Sequence, residues 1–121
     1  GARVAKTKQP ADEFAPCRLV EHDDGTFSIT FDAFEGTAEA FEEHGYDAGG
    51  YAWHGVVEAM VRARAPKIKK LVKYDPEASM FAAYGKDRDA LKQVAALIRE
   101  AITDPEMLAE FIAKADPDLM D

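Results

Sequence analysis

The chain has 121 residues, 47% of them apolar and 31% charged, with a formal net charge of −8 and one cysteine. That is one domain's length, able to bury about two-thirds of its unfolded surface. Nothing in it approaches the roughly 20 apolar residues that span a bilayer, no signal-peptide core precedes a cleavage site, and one cysteine excludes a disulfide framework. A soluble chain in a reducing, cytoplasmic compartment is therefore expected.

Residues 1–16 combine Pro10, Pro16 and charges with little periodicity, and read as an arm, partly disordered, ahead of a single domain over 17–121. Cys17 reads as a small buried hydrophobe at a strand start. Arg18–His22 and Phe27–Phe31 bracket Asp23-Asp24-Gly25-Thr26, and Phe27, Ile29 and Phe31 alternate with polar residues. Period two around Asp-Gly predicts a hairpin with one packed face. Thr37 is placed to cap a short helix through Glu43 that ends near Gly45. From about Tyr51 to Arg64, Trp53, Val56, Val57, Met60 and Val61 form one apolar helical stripe, which Pro66 interrupts. Residues 67–70 read as helix, followed by a second hairpin through Asp75-Pro76-Glu77-Ala78 with a returning strand from Ser79 to Tyr84. Asp87 caps a helix burying Leu91, Val94, Ala95, Ile98 and Ile102. Thr103 and Glu106 match a capping box for a last helix, with Leu108, Phe111, Ile112 and Ala115 inward. The order ββααββαα predicts an α+β fold: an antiparallel sheet from two β-hairpins with helices packed on one face.

Charge is segregated along the chain. Residues 1–61 balance to −8, residues 62–73 to +6 and residues 74–121 to −6. An acidic body repels phosphate backbones and steers basic partners, so neither nucleic acid nor membrane is an expected partner. The basic cluster of Arg62, Arg64, Lys67, Lys69, Lys70 and Lys73 reads as the solvated face of one element, with Ile68, Leu71 and Val72 buried.

Chemistry-bearing patterns are sparse. His22, His44 and His54 lack the spacing of a zinc helix, and no Walker, Gly-x-Ser-x-Gly or His-Glu-x-x-His pattern occurs. No catalytic residue, metal or cofactor is expected. Gly49-Gly50 precede a helix, but beside Asp47 they read as backbone geometry rather than an anion site. Glu35, Glu39, Glu42, Glu43 and Asp47 gather carboxylates without a calcium loop's ligand spacing. They read either as a solvated face or as a face meeting a basic partner. Trp53 begins the apolar stripe and reads as core, Tyr46 and Tyr51 as packing or binding hot spot, and His54 as a flank residue.

Phe41-Glu42-Glu43-His44-Gly45-Tyr46, then Gly50-Tyr51-x-Trp53, then Tyr74-Asp75-Pro76-Glu77-Ala78-x-Met80-Phe81-x-x-Tyr84 resemble immunity protein family 51 of bacterial polymorphic toxin systems. The resemblance runs from about Cys17 to Ala115. His54 stands where members often carry an acid. The resemblance implies a non-catalytic protein that binds and neutralises a toxin made by the same or a competing cell. With the acidic body, it implies a cognate toxin with a basic surface, met by Glu35, Glu39, Glu42, Glu43, Tyr46, Asp47, Tyr51 and His54. The alternative is a small-molecule-binding or regulatory domain using a groove beside Tyr46 to His54.

Overall fold

The computed structural model describes residues 13–121. Strands β1 (Arg18–Glu21), β2 (Phe27–Phe31), β3 (Lys73–Tyr74) and β4 (Phe81–Gly85) form one antiparallel sheet in the order β1-β2-β4-β3. Helices α1 (Ala38–Glu42) and α2 (Gly50–Arg64) separate the two hairpins, and α3 (Arg88–Thr103) and α4 (Pro105–Lys114) follow them. The α+β architecture is the one the sequence predicts.

The register follows from the apolar alternation. Ile29 opposes Ala83 and Phe31 opposes Phe81, all four buried, so the two hairpins join along β2 and β4 through their inward rows. The intervening residues form the other face, where Ser28 opposes Tyr84 and Thr30 opposes Ala82. Helices α2 and α3 pack against the sheet, and α4 packs on α1, α2 and α3. The first turn is held locally: the Asp24 carboxylate accepts from the Thr26 N–H at 3.1 Å and its hydroxyl at 2.6 Å.

Helix α2 is the centre of the molecule. Beyond the Trp53 stripe it also buries Ala52, Gly55 and Ala59, so far more than one face is covered. The small residues make this possible. A Cβ on Gly55 would run into the Met120 side chain, which the C-terminal turn over Pro117–Leu119 brings back onto the helix. A glycine in a helix interior costs about 1 kcal/mol relative to alanine, and here that cost is tied to close approach.

Several local expectations need correction. The Thr37 hydroxyl does not cap α1; it donates to the Phe34 carbonyl at 3.0 Å and closes a 3₁₀ turn over Glu35–Thr37. Likewise Thr103 does not start α4. Its hydroxyl bonds back to the Arg99 and Glu100 carbonyls of α3, while the Asp104 carboxylate accepts from the Met107 N–H at 3.2 Å. Aspartate at 104 outcompetes the threonine because its carboxylate is a stronger acceptor for helix N–H groups. Asp87 does cap α3, accepting from the Ala90 N–H at 3.0 Å. The helical stretch expected over 67–70 is present as a 3₁₀ segment, Pro66–Leu71.

The predicted arm lies outside the described residues up to position 12. Its last four residues are docked. Phe14 is fully buried in the main core, Arg99 donates to the Ala15 carbonyl at 2.8 Å, and Lys92 pairs with Glu13 at 2.9 Å. Phe14, which the sequence reading places in the arm, is thus a core residue. Cys17 is buried as expected, and burial pushes its thiol up to about 12, so it is a packing group. Among the described residues no helix is long and apolar enough to cross a membrane.

Candidate functional site

Helix α1 is anchored by one residue. Phe41 is fully buried and meets the Trp53 ring at 5.6 Å. With Phe41 turned inward, Glu39, Glu42 and Glu43 fall on the outer side, and they are exposed, as is Glu35 in the preceding turn. Gly45 then reverses the chain in the left-handed region, φ +85, where its N–H bonds the Glu42 carbonyl and that of Tyr46 bonds Phe41. Asp47 follows, also exposed. None of these five carboxylates forms an ion pair among the described residues. The four salt bridges there use Glu13, Glu58 and Glu110. The outcome is an uncompensated negative face on a short, well-anchored element.

Beside it lies a groove of about 280 Å³, lined by Tyr46, Asp47, Tyr51, Ala78, Met120 and Asp121 among others. Tyr46 is half-buried against the core, whereas Tyr51 is 39% exposed on the rim. The start of α2 is seated here. A Cβ on Gly49 would stand 2.6 Å from the Ala78 carbonyl, and one on Gly50 would collide with the carbonyls of Glu77 and Met80. The Gly50 N–H donates to Ala78 at 3.2 Å. The glycine pair is therefore a backbone-to-backbone contact between α2 and the tip of the β3–β4 hairpin, as the sequence suggests.

Not every candidate comes together. Trp53 is fully buried, edge-on to Phe31 at 5.3 Å as well as meeting Phe41, so it belongs to the core. Its indole N–H has no hydrogen-bond partner among the described residues. His54 does not line the groove. Its ring lies 4.8 Å from that of Tyr74 on β3, half-buried, and burial lowers its pKa against the opposing pull of Glu58. Sequence reasoning missed the C-terminal turn as a wall of the groove. The signal was Gly55, a helix-interior glycine facing an apolar residue that had to come from elsewhere.

The six basic residues of the stretch are exposed, as expected, but they are spread over the end of α2, the 3₁₀ segment and β3 rather than one element. Arg62 pairs with Glu58 at 2.9 Å and the Arg64 guanidinium sits 5.4 Å from the Phe111 ring centre. Ile68 and Val72 are buried as expected, but Leu71 is 43% exposed. The chain turns extended at Val72, φ −121 and ψ 128, so period two applies from there and sends Leu71 and Lys73 to the opposite side. Lys70, Leu71 and Lys73 then line a second cavity, of about 810 Å³, with Lys86 and Arg88.

His22 and Ser28 meet across the first hairpin, Nε2 to Oγ at 2.8 Å, but the pair is solvated. Among the described residues no hydrogen bond orients the other ring nitrogen. No group of three or more His, Cys, Asp or Glu able to hold a metal occurs among the described residues. The family model for immunity protein 51 matches residues 17–117. The chain belongs to this family. No curated protein and no solved structure gives a significant match.

Proposed function

Because the chain is an immunity protein 51 family member, we propose that it neutralises a cognate bacterial toxin by binding and occluding it, without turnover, in the cytoplasm of the cell that makes it. The observation that supports this reading is the uncompensated acidic side of α1. Unpaired carboxylates on a folded body raise the encounter rate with a basic surface and repel partners of their own sign. Glu35, Glu39, Glu42, Glu43 and Asp47 supply that field, and Tyr46 and Tyr51 offer aromatic area beside it. His54, its ring tilted against that of Tyr74, acts at the margin of the contact.

The groove, of about 280 Å³, is at the small end for a ligand pocket, and it opens beside the acidic side of α1. The test asks first whether the gene beside this one encodes a toxin, and then titrates a fixed amount of that product with the purified protein. Protection should track stoichiometry, and association should slow as ionic strength rises. Full protection at strongly substoichiometric protein, with the toxin or its product chemically altered, would replace occlusion by catalysis.

A further inference from the structure

We propose that the cavity at the base of the β3–β4 hairpin, together with the sheet face beside it that no described helix covers, docks an acidic segment of a protein partner that carries an apolar side chain. The proposal rests on the toxin-binding reading only for the partner's identity, and extends it from one contact surface to two.

The cavity has the wrong sign for this molecule. On a chain of net charge −8, its walls carry Lys70, Lys73, Lys86 and Arg88. The one carboxylate lining it, Asp87, is engaged in capping α3. Arg88 is partly satisfied, 4.0 Å from Glu13 and with its guanidinium 5.0 Å from the Phe14 ring centre. Lys70, Lys73 and Lys86 have no ion pair among the described residues. Three ammonium groups around one concavity repel each other, and a carboxylate between them converts that repulsion into charge-assisted hydrogen bonds.

The lining is also apolar. Phe27, Leu71 and Tyr84 contribute to it, and Tyr84 is 39% exposed. The strand register continues this surface away from the cavity: Val20 opposes Ser28, Ser28 opposes Tyr84, and Tyr84 opposes Lys73. Val20, 44% exposed, therefore stands two strands from Tyr84 on the same open face, about 10 Å away. Three of the four large exposed hydrophobic residues, Val20, Leu71 and Tyr84, belong to this one side. A small anion would fill the cavity but leave Val20 unused. An extended protein surface, apolar at its centre and acidic at its edge, engages both. The chain's own first twelve residues are the wrong occupant, since Arg3, Lys6 and Lys8 outnumber Asp12.

The test follows amide shifts of the isotope-labelled full chain during titration with a synthetic peptide of Glu and Ser carrying one central Phe. Shifts are expected at Leu71, Lys73, Tyr84 and Lys86, with binding at least about tenfold weaker in the K73E/K86E variant, because reversal turns attraction into repulsion. Absence of those shifts, or equal binding of the matched peptide with Lys for Glu, overturns the proposal. Phenylbutyrate binding as tightly as the peptide overturns it in favour of a small-ligand pocket. A toxin found encoded beside this gene supplies a separate arm. If the unaltered protein fails to bind that toxin, the toxin-neutralising reading falls while the peptide result still decides the docking surface. If the unaltered protein binds it and K73E/K86E binds equally well, the docking surface falls and the toxin reading stands.

Discussion

The two ends of the β3–β4 hairpin are built on opposite plans. At the tip, the Glu77 N–H bonds the Met80 carbonyl at 2.8 Å, and α2 begins against that turn, with two glycines removing every side-chain atom that would hold them apart. At the base, Leu71 and Lys73 point outward and four cations line an open cavity. The hairpin's length separates the two by roughly 20 Å. The tip is closed by the chain itself, and its charge lies nearby on α1, all of one sign. The base is left open, with the opposite sign. A molecule that needed only to fold would not leave like-charged lysines around exposed leucine and tyrosine. The difference teaches that packing alone accounts for the tip, whereas the base presents charge and apolar area that the fold itself does not use.

The severest way to break this comparison is to remove the core that both ends share. Trp53→Ala should cost about 3–5 kcal/mol in urea unfolding, by lost burial and an unfilled cavity against Phe31 and Phe41. Trp53→Phe should cost less than its lost volume suggests. It also deletes an indole N–H that is buried without a partner among the described residues, a burden of about 1–3 kcal/mol. A stable Trp53→Ala that no longer binds the partner would make Trp53 a contact residue instead.

Next comes the seating of α2 on the tip. Gly50→Ala places a methyl group against the Glu77 and Met80 carbonyls, which are backbone and cannot rotate away, so a loss of about 1–3 kcal/mol is expected. Gly36→Ala meets open space and should change stability by about 0.5 kcal/mol or less. Equal effects at the two positions would mean that the hairpin tip gives way and is not a fixed platform.

What the sequence made legible follows the same division. Local periodicity announced β2, α2, α3 and α4, because each buries a face at a regular interval that needs no partner to be recognised. The glycine pair was readable as geometry, but its contact, the Ala78 carbonyl, lies across the fold. Caps were harder. Thr37 and Thr103 carry the right hydroxyl at the right spacing, yet each bonds backward into the preceding turn, a competition that short polar side chains enter in either direction. The acidic candidates could be named because charge is a property of residues. The basic cavity could not, since it joins Lys70 and Lys73 to Lys86 and Arg88 only through the pairing of β3 with β4.

His54 sharpens the comparison at a smaller scale, since it links α2 to β3 between the two ends. Burial lowers its folded-state pKa below the ordinary value of 6.5. The unfolded chain therefore binds more protons in the window between those two values, and stability rises with pH there. Read downward, stability is full above about 6.5, declines as the unfolded imidazole gains its proton, and levels off once the folded one is protonated too. Subtracting the profile of His54→Gln isolates this contribution. The difference should fall on the acid side of neutrality. A flat difference would show that Glu58 balances burial at this ring, and one that rises toward acid would show that it outweighs burial.

The gentlest perturbation addresses the charge beside the tip. Reversing Glu39, Glu42 and Glu43 to lysine alters no buried contact, because all three stand on the outer side of α1 opposite Phe41. Exposed helix charges are worth only a few tenths of a kcal/mol each, so the unfolding midpoint should barely move. Partner binding should respond far more, with a slower association rate and a weaker dependence of that rate on salt, since encounter is where such charges act. The K73E/K86E variant at the base should show the opposite response to the sign of a peptide probe. Running both variants against the same pair of acidic and basic peptides compares the ends directly. If the acidic peptide distinguishes neither variant from the unaltered chain, the base is an open but idle surface. If the basic peptide distinguishes neither, the carboxylates of α1 serve solubility alone.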